Sequence, residues 1–459
     1  MRTALNCLLI LIVCAAPLAA GDWPEWRGPN GTGQSADADP PTTWSETENV
    51  RWKTELPGRS HASPIVWKDR VYVLSAAPVD PEAAARAMEE MMKAREEARL
   101  ARERGEQRPR SLSRLGVQPQ PQRFVVMALD RATGKVVWEK VAAERTPPEG
   151  THPDGTWASA SPVTDGEMLY AHFGSNGLFA YDLNGNLKWQ KDLGKMRTRN
   201  GFGEGASPAV YGDTLVINWD HEDDSYIAAF DKKTGAEKWK KERDEPTSWS
   251  TPLIVESAKR PQVVVAATGM SRGYDLANGN ILWEIGGQTL NVVPSPIYAH
   301  GLVFLTSGFR GNMMQAVNLS KAKGAVADTE ALAWQYEQDT PYVPSPLVYD
   351  DHIYFLKTYS AVLTVLNAKT GEVVYNRKRV DGLDNVYASI VGANGRVYIA
   401  GRNGTTTVLK HGDTYEVFAQ NTLPEGIDAS PAIAGKELYL RTRSHLYSLS
   451  ESGAAKAGP

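Results

Sequence analysis

Ala128-Leu129-Asp130-Arg131-Ala132-Thr133-Gly134-Lys135-Val136-Val137-Trp138 reads as a strand, a tight turn at Thr133-Gly134, and a second strand that ends on an aromatic residue. Glycine supplies the left-handed turn position such a hairpin needs. One hairpin decides little, but the chain writes this one repeatedly. Ala229-Phe230-Asp231 leads to Thr234-Gly235 and Trp239, and Gly273-Tyr274-Asp275 leads to Asn278-Gly279 and Trp283. Ala180-Tyr181-Asp182 leads, one residue sooner, to Asn184-Gly185 and Trp189. A worn copy runs Val365-Leu366-Asn367, Thr370-Gly371, Tyr375. Repeats of this kind decide the architecture, because stacked units share one body.

A second mark heads each copy: Ala62-Ser63-Pro64, Ala160-Ser161-Pro162, Ala206-Ser207-Pro208, Ser250-Thr251-Pro252, Pro294-Ser295-Pro296 and Pro344-Ser345-Pro346, then Ala388-Ser389-Ile390 and Ala429-Ser430-Pro431. Proline costs little ladder pairing at the first residue of a strand. Most heads recur every 41 to 50 residues, the spacing of a four-stranded propeller blade. Eight heads are followed by only seven strand-four ends, at Trp138, Trp189, Trp239, Trp283, Trp334, Tyr375 and Phe418. The eighth repeat, headed by Ser430, stops after Leu449, while Asn49-Val50-Arg51-Trp52-Lys53-Thr54 is a repeat end with no beginning. Pairing the two would close a ring and remove its exposed sheet edges. The expectation is therefore an all-β, eight-bladed propeller of four-stranded antiparallel blades over 48–450, closed by the N-terminal strand. An open solenoid or two smaller propellers are the competing arrangements.

Charge is nearly balanced, with Lys+Arg 50 against Asp+Glu 54, so no overall field favours nucleic acid. Residues 1–20 have the pattern of a signal peptide: Arg2, an apolar run from Leu8 to Val13, and small residues at Ala19-Ala20. The expected product is exported, periplasmic or extracellular, monomeric, and without a membrane span after cleavage. Both cysteines, Cys7 and Cys14, fall in this segment, so the remainder offers no disulfide, thiolate nucleophile or cysteine metal ligand. Residues 21–47 form a leader rich in Pro and Gly, which Trp23 and Trp26 are expected to pin to the body, and 451–459 read as a disordered tail. Within blade one, 80–121 is an insertion. Asp80-Pro81 signals a helix start, with pairs Glu82/Arg86, Glu89/Lys93 and Arg99/Glu103 four residues apart.

The Ala-x-Asp-x-x-x-Gly-Lys-x-x-Trp pattern resembles the tryptophan-docking motif of the pyrroloquinoline-quinone (PQQ) repeat superfamily. Ala128, Asp130, Gly134, Lys135 and Trp138 match it at every signature position. The resemblance implies an eight-bladed propeller in which Ala128, Asp130, Gly134, Trp138, Trp189, Trp239 and Trp283 have structural docking roles. The superfamily includes calcium-dependent quinoprotein dehydrogenases and BamB, a non-enzymatic subunit of the outer-membrane barrel-assembly machinery. It therefore implies fold without choosing a cofactor. The family's alcohol dehydrogenases carry adjacent cysteines over the quinone, which this chain lacks after residue 20. No aligned Glu, Asn and Asp set for calcium and no Cys-x-x-Cys-His stand out.

In a propeller, the loops before each head and those joining strands two and three share one face. Repeat position places there Arg59, Ser60, His61, Trp157, Arg197, Arg199, Asn200, Glu204, Trp249, Arg272 and Asn291. Arg310, Tyr342, Tyr359, Asn385, Arg402, Arg441 and Arg443 join them, with Asp220-His221-Glu222-Asp223-Asp224 as the densest ionisable cluster. Guanidinium forks suit carboxylates, phosphates or sulfates, and Trp157, Trp249 and Tyr342 offer stacking faces. Two readings compete: an anionic or carbohydrate ligand in the channel mouth, or arginines paired with acids on a solvated rim. His61, Arg199, Asn200, Asn291 and Arg310 are further ligand candidates. His221, Asp220 and Glu222 are the catalytic candidates, and no metal site is assigned. The leading functional expectation is a BamB-like binding or assembly scaffold for protein partners or a cell-envelope ligand. The alternative is a quinoprotein-type oxidoreductase using PQQ and calcium.

Overall fold

The computed structural model describes residues 21–105, 116–256 and 260–451. The signal-peptide segment, part of the insertion's return and all but the first residue of the tail lie outside these residues. Eight antiparallel four-stranded units follow one another around a channel, seven of them contiguous: 65–145, 163–191, 209–242, 253–285, 297–336, 347–379 and 391–422. The eighth joins Ala432–Ala434, Glu437–Arg441 and His445–Leu449 to Val50–Glu55. Thr54 pairs with Leu446 and Trp52 with Ser448, so the orphan strand closes the ring as its sequence implies.

The repeated hairpin explains why the blades stay together. Asp130 Oδ1 accepts from the backbone N–H (2.9 Å) and the hydroxyl (2.7 Å) of Thr133, and Gly134 N–H donates to the Asp130 carbonyl (2.8 Å). This side-chain-led turn leaves Gly134 at φ +70°, a region glycine enters without the Cβ penalty. The Trp52 ring of blade eight then lies flat on that glycine, where a Cβ would come within 2.6 Å of it. Trp52 Nε1 donates to the Arg131 carbonyl at 2.9 Å. The same clasp joins Trp138 to Leu183, Trp189 to Lys232, Trp239 to Leu276 and Trp334 to Ala368, each through Nε1 and a carbonyl of the next blade. Trp52, Trp189 and Trp239 are thereby buried and Trp138 and Trp334 partly so, each with its one polar atom satisfied.

Three blades depart from the pattern. Blade six has Tyr375 in the tryptophan's register position, opposite Val365, and its hydroxyl is buried without a partner. Trp283 keeps the register position, opposite Gly273, but donates to Gln262 of its own blade at 2.8 Å. Beyond it, the blade-five turn is replaced by a longer segment whose Gly324–Ala325 adds a fifth, parallel strand to blade four. In blade seven, Phe418 marks strand four, yet the position opposite Val408 is Ala419. Phe418 itself is 45 % exposed, so this blade lacks an aromatic clasp.

The heads form a second ring at the channel. Ser63 N–H donates to Ser161 Oγ, and the relation repeats from Ser161 to Ser207, Ser207 to Thr251, Thr251 to Ser295, Ser295 to Ser345, Ser345 to Ser389 and Ser389 to Ser430, all at 2.9–3.0 Å. The Ser-Pro mark is therefore a blade-to-blade hydrogen bond, and Thr251 serves because only the hydroxyl matters.

The leader crosses the channel below this ring. Trp23 exchanges backbone hydrogen bonds with Val66 of blade one, Pro24 accepts from Thr164 of blade two, and Thr32 accepts from Val348 of blade six. Gln34–Ser35 pairs in parallel with the inner strand of blade seven. The buried Arg27 guanidinium donates to the carbonyls of Thr32, Ile390 and Pro346. Trp23 is fully buried. The insertion is a helix, Pro81–Glu103, capped by Asp80 Oδ1 on Ala83 N–H (2.9 Å), and the three expected pairs form. No helix among the described residues is long and apolar enough to cross a membrane.

Candidate functional site: a blind cup in the channel

With its own leader across the channel, the ring encloses a cavity of about 670 Å³ that opens on the loop-bearing face. Trp26 of the leader borders it, the head hydroxyls ring it, and Arg95 of the inserted helix reaches its wall. Of the residues that repeat position assigned to this face, His61, Glu204, Trp249, Arg310, Tyr342 and Tyr359 line the cup.

One wall is aromatic. Phe309 and Tyr342 stand 4.8 Å apart between centroids, Tyr342 and Tyr359 6.2 Å, and Tyr359 and Tyr387 5.8 Å, an arc across blades five to seven. A guanidinium covers each end: Arg310 lies 5.3 Å over Phe309, and Arg402 lies 4.1 Å over Tyr387. Arg310 is exposed, with φ +55°. Arg402 holds Asp428 (2.6 Å) and Asp154 (3.0 Å). That pairing outweighs burial and keeps the Asp154 carboxyl below its usual range. His61, 3.6 Å from Asp428, is pulled down to about 4 by burial, with Arg59, Arg402 and Arg441 adding to the effect. It is neutral at pH 7.

Glu204 lies on the opposite wall. Its carboxylate accepts from Ser175 N–H and Oγ, both at 2.6 Å, yet burial pushes it up to about 7. Trp157 borders a side pocket next to Glu204 rather than the cup, and donates from Nε1 to the Glu149 carbonyl at 3.0 Å. Arg199 and Asn291 stand beside Tyr342. Asn200 is an exposed left-handed residue in the short turn Arg199–Gly201.

The acidic cluster goes elsewhere. Asp220 is buried against Arg243 (2.6 Å) and Ser248 (2.6 Å). His221 accepts at Nδ1 from the backbone N–H groups of Arg197 (3.3 Å) and Asp223 (3.4 Å), which leaves Nε2–H to the Asp224 carbonyl (3.2 Å). Glu222 accepts from Thr247 N–H and Oγ1, and Asp223 pairs with Arg197. Asp220, His221 and Glu222 are thus tied to neighbouring loops, and none borders the cup. Asp154, Asp428, Trp26 and Arg95 do border it. Asp428 stands two residues before its head Ser430, as His61 and Trp249 stand before theirs, so repeat position could have found it; Trp26, Arg95 and Asp154 come from a leader, a helix and a loop outside that spacing.

A family model described as outer membrane protein assembly factor BamB, of PQQ-repeat type, matches residues 120–314 and 223–456. The chain belongs to this BamB-type PQQ-repeat family. Among solved structures it is similar to BamB from Moraxella catarrhalis, at 14 % identity and TM-score 0.53, covering 71 % of this chain and 91 % of that one. It is also similar to a quinohemoprotein alcohol dehydrogenase from Pseudomonas putida, at 10 % identity and TM-score 0.56, covering 95 % and 81 %. At these identities the two structures share the fold alone with the family member described here. A search of the curated proteins gave no match.

Proposed function

We propose that this BamB-type propeller is an exported, periplasmic binding scaffold whose cup holds an anionic, ring-bearing ligand of acidic-saccharide chemistry. The observation that carries the reading is the arc Phe309–Tyr342–Tyr359–Tyr387 with a guanidinium over each end. Aromatic faces stack on the apolar faces of sugar rings, and guanidinium forks match carboxylate or sulfate oxygens. The volume lies in the range of small-ligand sites, about 300–1,000 Å³. The leader makes the cup blind, so a ligand enters and leaves by the loop face. As a scaffold, the protein would present this face to a cell-envelope partner.

The quinoprotein alternative needs oxygen donors for calcium beside the quinone. The carboxylates on the cup wall are already engaged, Asp154 and Asp428 by Arg402 and Glu204 by Ser175. Among the described residues, no group of three His, Cys, Asp or Glu side chains is placed to hold a metal. The donor set does not fit calcium, which supports binding over oxidation.

The reading is tested by ligand-observed NMR with uronic-acid oligosaccharides, neutral oligosaccharides of equal length, and PQQ with calcium. Saturable transfer to the acidic sugars, lost in Tyr342→Ala, is expected. Binding of PQQ with alcohol-dependent dye reduction would replace this reading with the oxidoreductase.

A further inference from the structure

Beyond the Arg402 end of the aromatic arc, the wall between blades eight and one holds a second, smaller cleft. Arg59, His61, Asp428, Arg441 and Arg443 line it. Arg441 is 1 % exposed. Its two terminal nitrogens donate to the Leu74 carbonyl (2.6 Å) and Ser75 Oγ (2.7 Å) of blade one. Its Nε is buried without a partner. Among the described residues no carboxylate pairs with it, and burial alone pulls it down to about 9. A guanidinium removed from water without a counter-ion is costly, and buried charges are ordinarily paired.

The neighbours deepen the imbalance. Arg59 is pulled down by burial; Asp428 and Asp154 favour its charge, while Arg443 and Arg402 oppose it. The Arg443 guanidinium lies over Gly426, where a Cβ would stand 3.2 Å from it. The carboxylates facing this group are Asp428 and Asp154, both already held by Arg402. Glu425 is turned away to Thr442 and Ser444. Four guanidinium groups share two carboxylates, which leaves two positive charges beside a neutral His61.

We infer that this cleft is a binding site for a tetrahedral oxyanion, a sulfate or phosphate group, anchored by Arg441 and closed by Arg59 and Arg443. The enclosed space, about 10 Å³, admits a single oxygen. The anion therefore enters by one oxygen towards Arg441 and leaves the others at the mouth for the exposed Arg443. His61 and Asp428 border both this cleft and the cup. The site therefore names the charged group of a ligand whose rings lie on the aromatic arc. It rests on the binding reading for the rings only; the excess of guanidinium stands without it.

The test is calorimetric titration of the whole protein with sodium sulfate and with glucose 6-sulfate, at constant ionic strength in chloride. A saturable site is expected for sulfate, with the ester tighter if the group arrives on a sugar. Arg443→Gln and Arg59→Gln, at partly open positions that leave the blade intact, are expected to weaken sulfate at least tenfold each. Arg441→Gln should abolish binding, and it is read only if its circular dichroism is native. No saturable heat, or equal affinity for sulfate in wild type, R59Q and R443Q, would overturn the site. A uronic oligosaccharide without sulfate reports on the cup alone. Its binding in a protein that ignores sulfate would leave the cup reading standing and this one refuted.

Discussion

Ser389 donates its backbone N–H to the hydroxyl of Ser430, 2.9 Å away and 41 residues later in the chain. Seven such links couple successive blades at the channel. Ser207→Ala leaves the Ser161 N–H buried without an acceptor, which costs about 1–3 kcal/mol. Ser207→Thr keeps the hydroxyl, as Thr251 does naturally, and should cost less. Urea denaturation of both variants checks the order.

Ring closure concentrates on Trp52, which is 7 % exposed and is clasped to Arg131 and Gly134 of blade one. Trp52→Ala should destabilise by about 3–5 kcal/mol. Phe418→Ala, at the corresponding end of blade seven but on its exposed surface, should stay within about 0.5 kcal/mol. Similar losses in the two variants would contradict the clasp.

The helical insertion contributes Arg95 to the cup, and its return ties Val117 to Thr151 by two backbone hydrogen bonds of 2.9 and 3.1 Å. Val79 N–H donates to the Pro121 carbonyl at 2.9 Å, and Pro78 pairs with Gln122, so the strands already meet at the base of the insertion. Replacing 80–120 with Asn-Gly joins Val79 to Pro121 through a two-residue hairpin loop and shortens a costly closure, at the loss of the Val117–Thr151 hydrogen bonds. Thermal stability should fall by no more than the Val117–Thr151 pairing is worth, about 1–3 kcal/mol, while acidic-sugar affinity falls because Arg95 is gone from the wall.

Glu204 gives the cup a titration near neutrality. Its ordinary pKa is 4.5, and burial raises it to about 7 in the folded protein. Between these values the folded state binds more protons than the unfolded state, so this group's contribution to stability falls as pH rises. Glu204→Gln, which can still meet Ser175 with one acceptor and one donor, should flatten the stability profile between pH 4.5 and 7. Chemical denaturation at intervals across that window measures the slope.

The ring, its closure by Trp52 and the capped helix were legible because each has a local signature: a repeated turn, an orphan strand end, an Asp-Pro start. The cup was only partly so. Repeat position located Trp249, Arg310 and Tyr342 because blade geometry is periodic. It could not show that Asp220 would be taken by Arg243, since charge density does not reveal pairing. The leader was opaque for another reason: a Pro- and Gly-rich stretch has no period, and what Trp26 and Arg27 contact depends on blades hundreds of residues away. Phe418 misled because an aromatic at the end of a strand looks like a clasp until the register assigns that place to Ala419.

Calorimetric titration of the protein with a uronic-acid trisaccharide tests the central claim most directly. One site with a Kd on the order of 0.1 mM, about −5.5 kcal/mol, is expected. Affinity should fall about tenfold in Tyr342→Ala and in Arg310→Gln and be unchanged in Phe418→Ala. No saturable heat at millimolar sugar, or equal affinity in all four proteins, would contradict it.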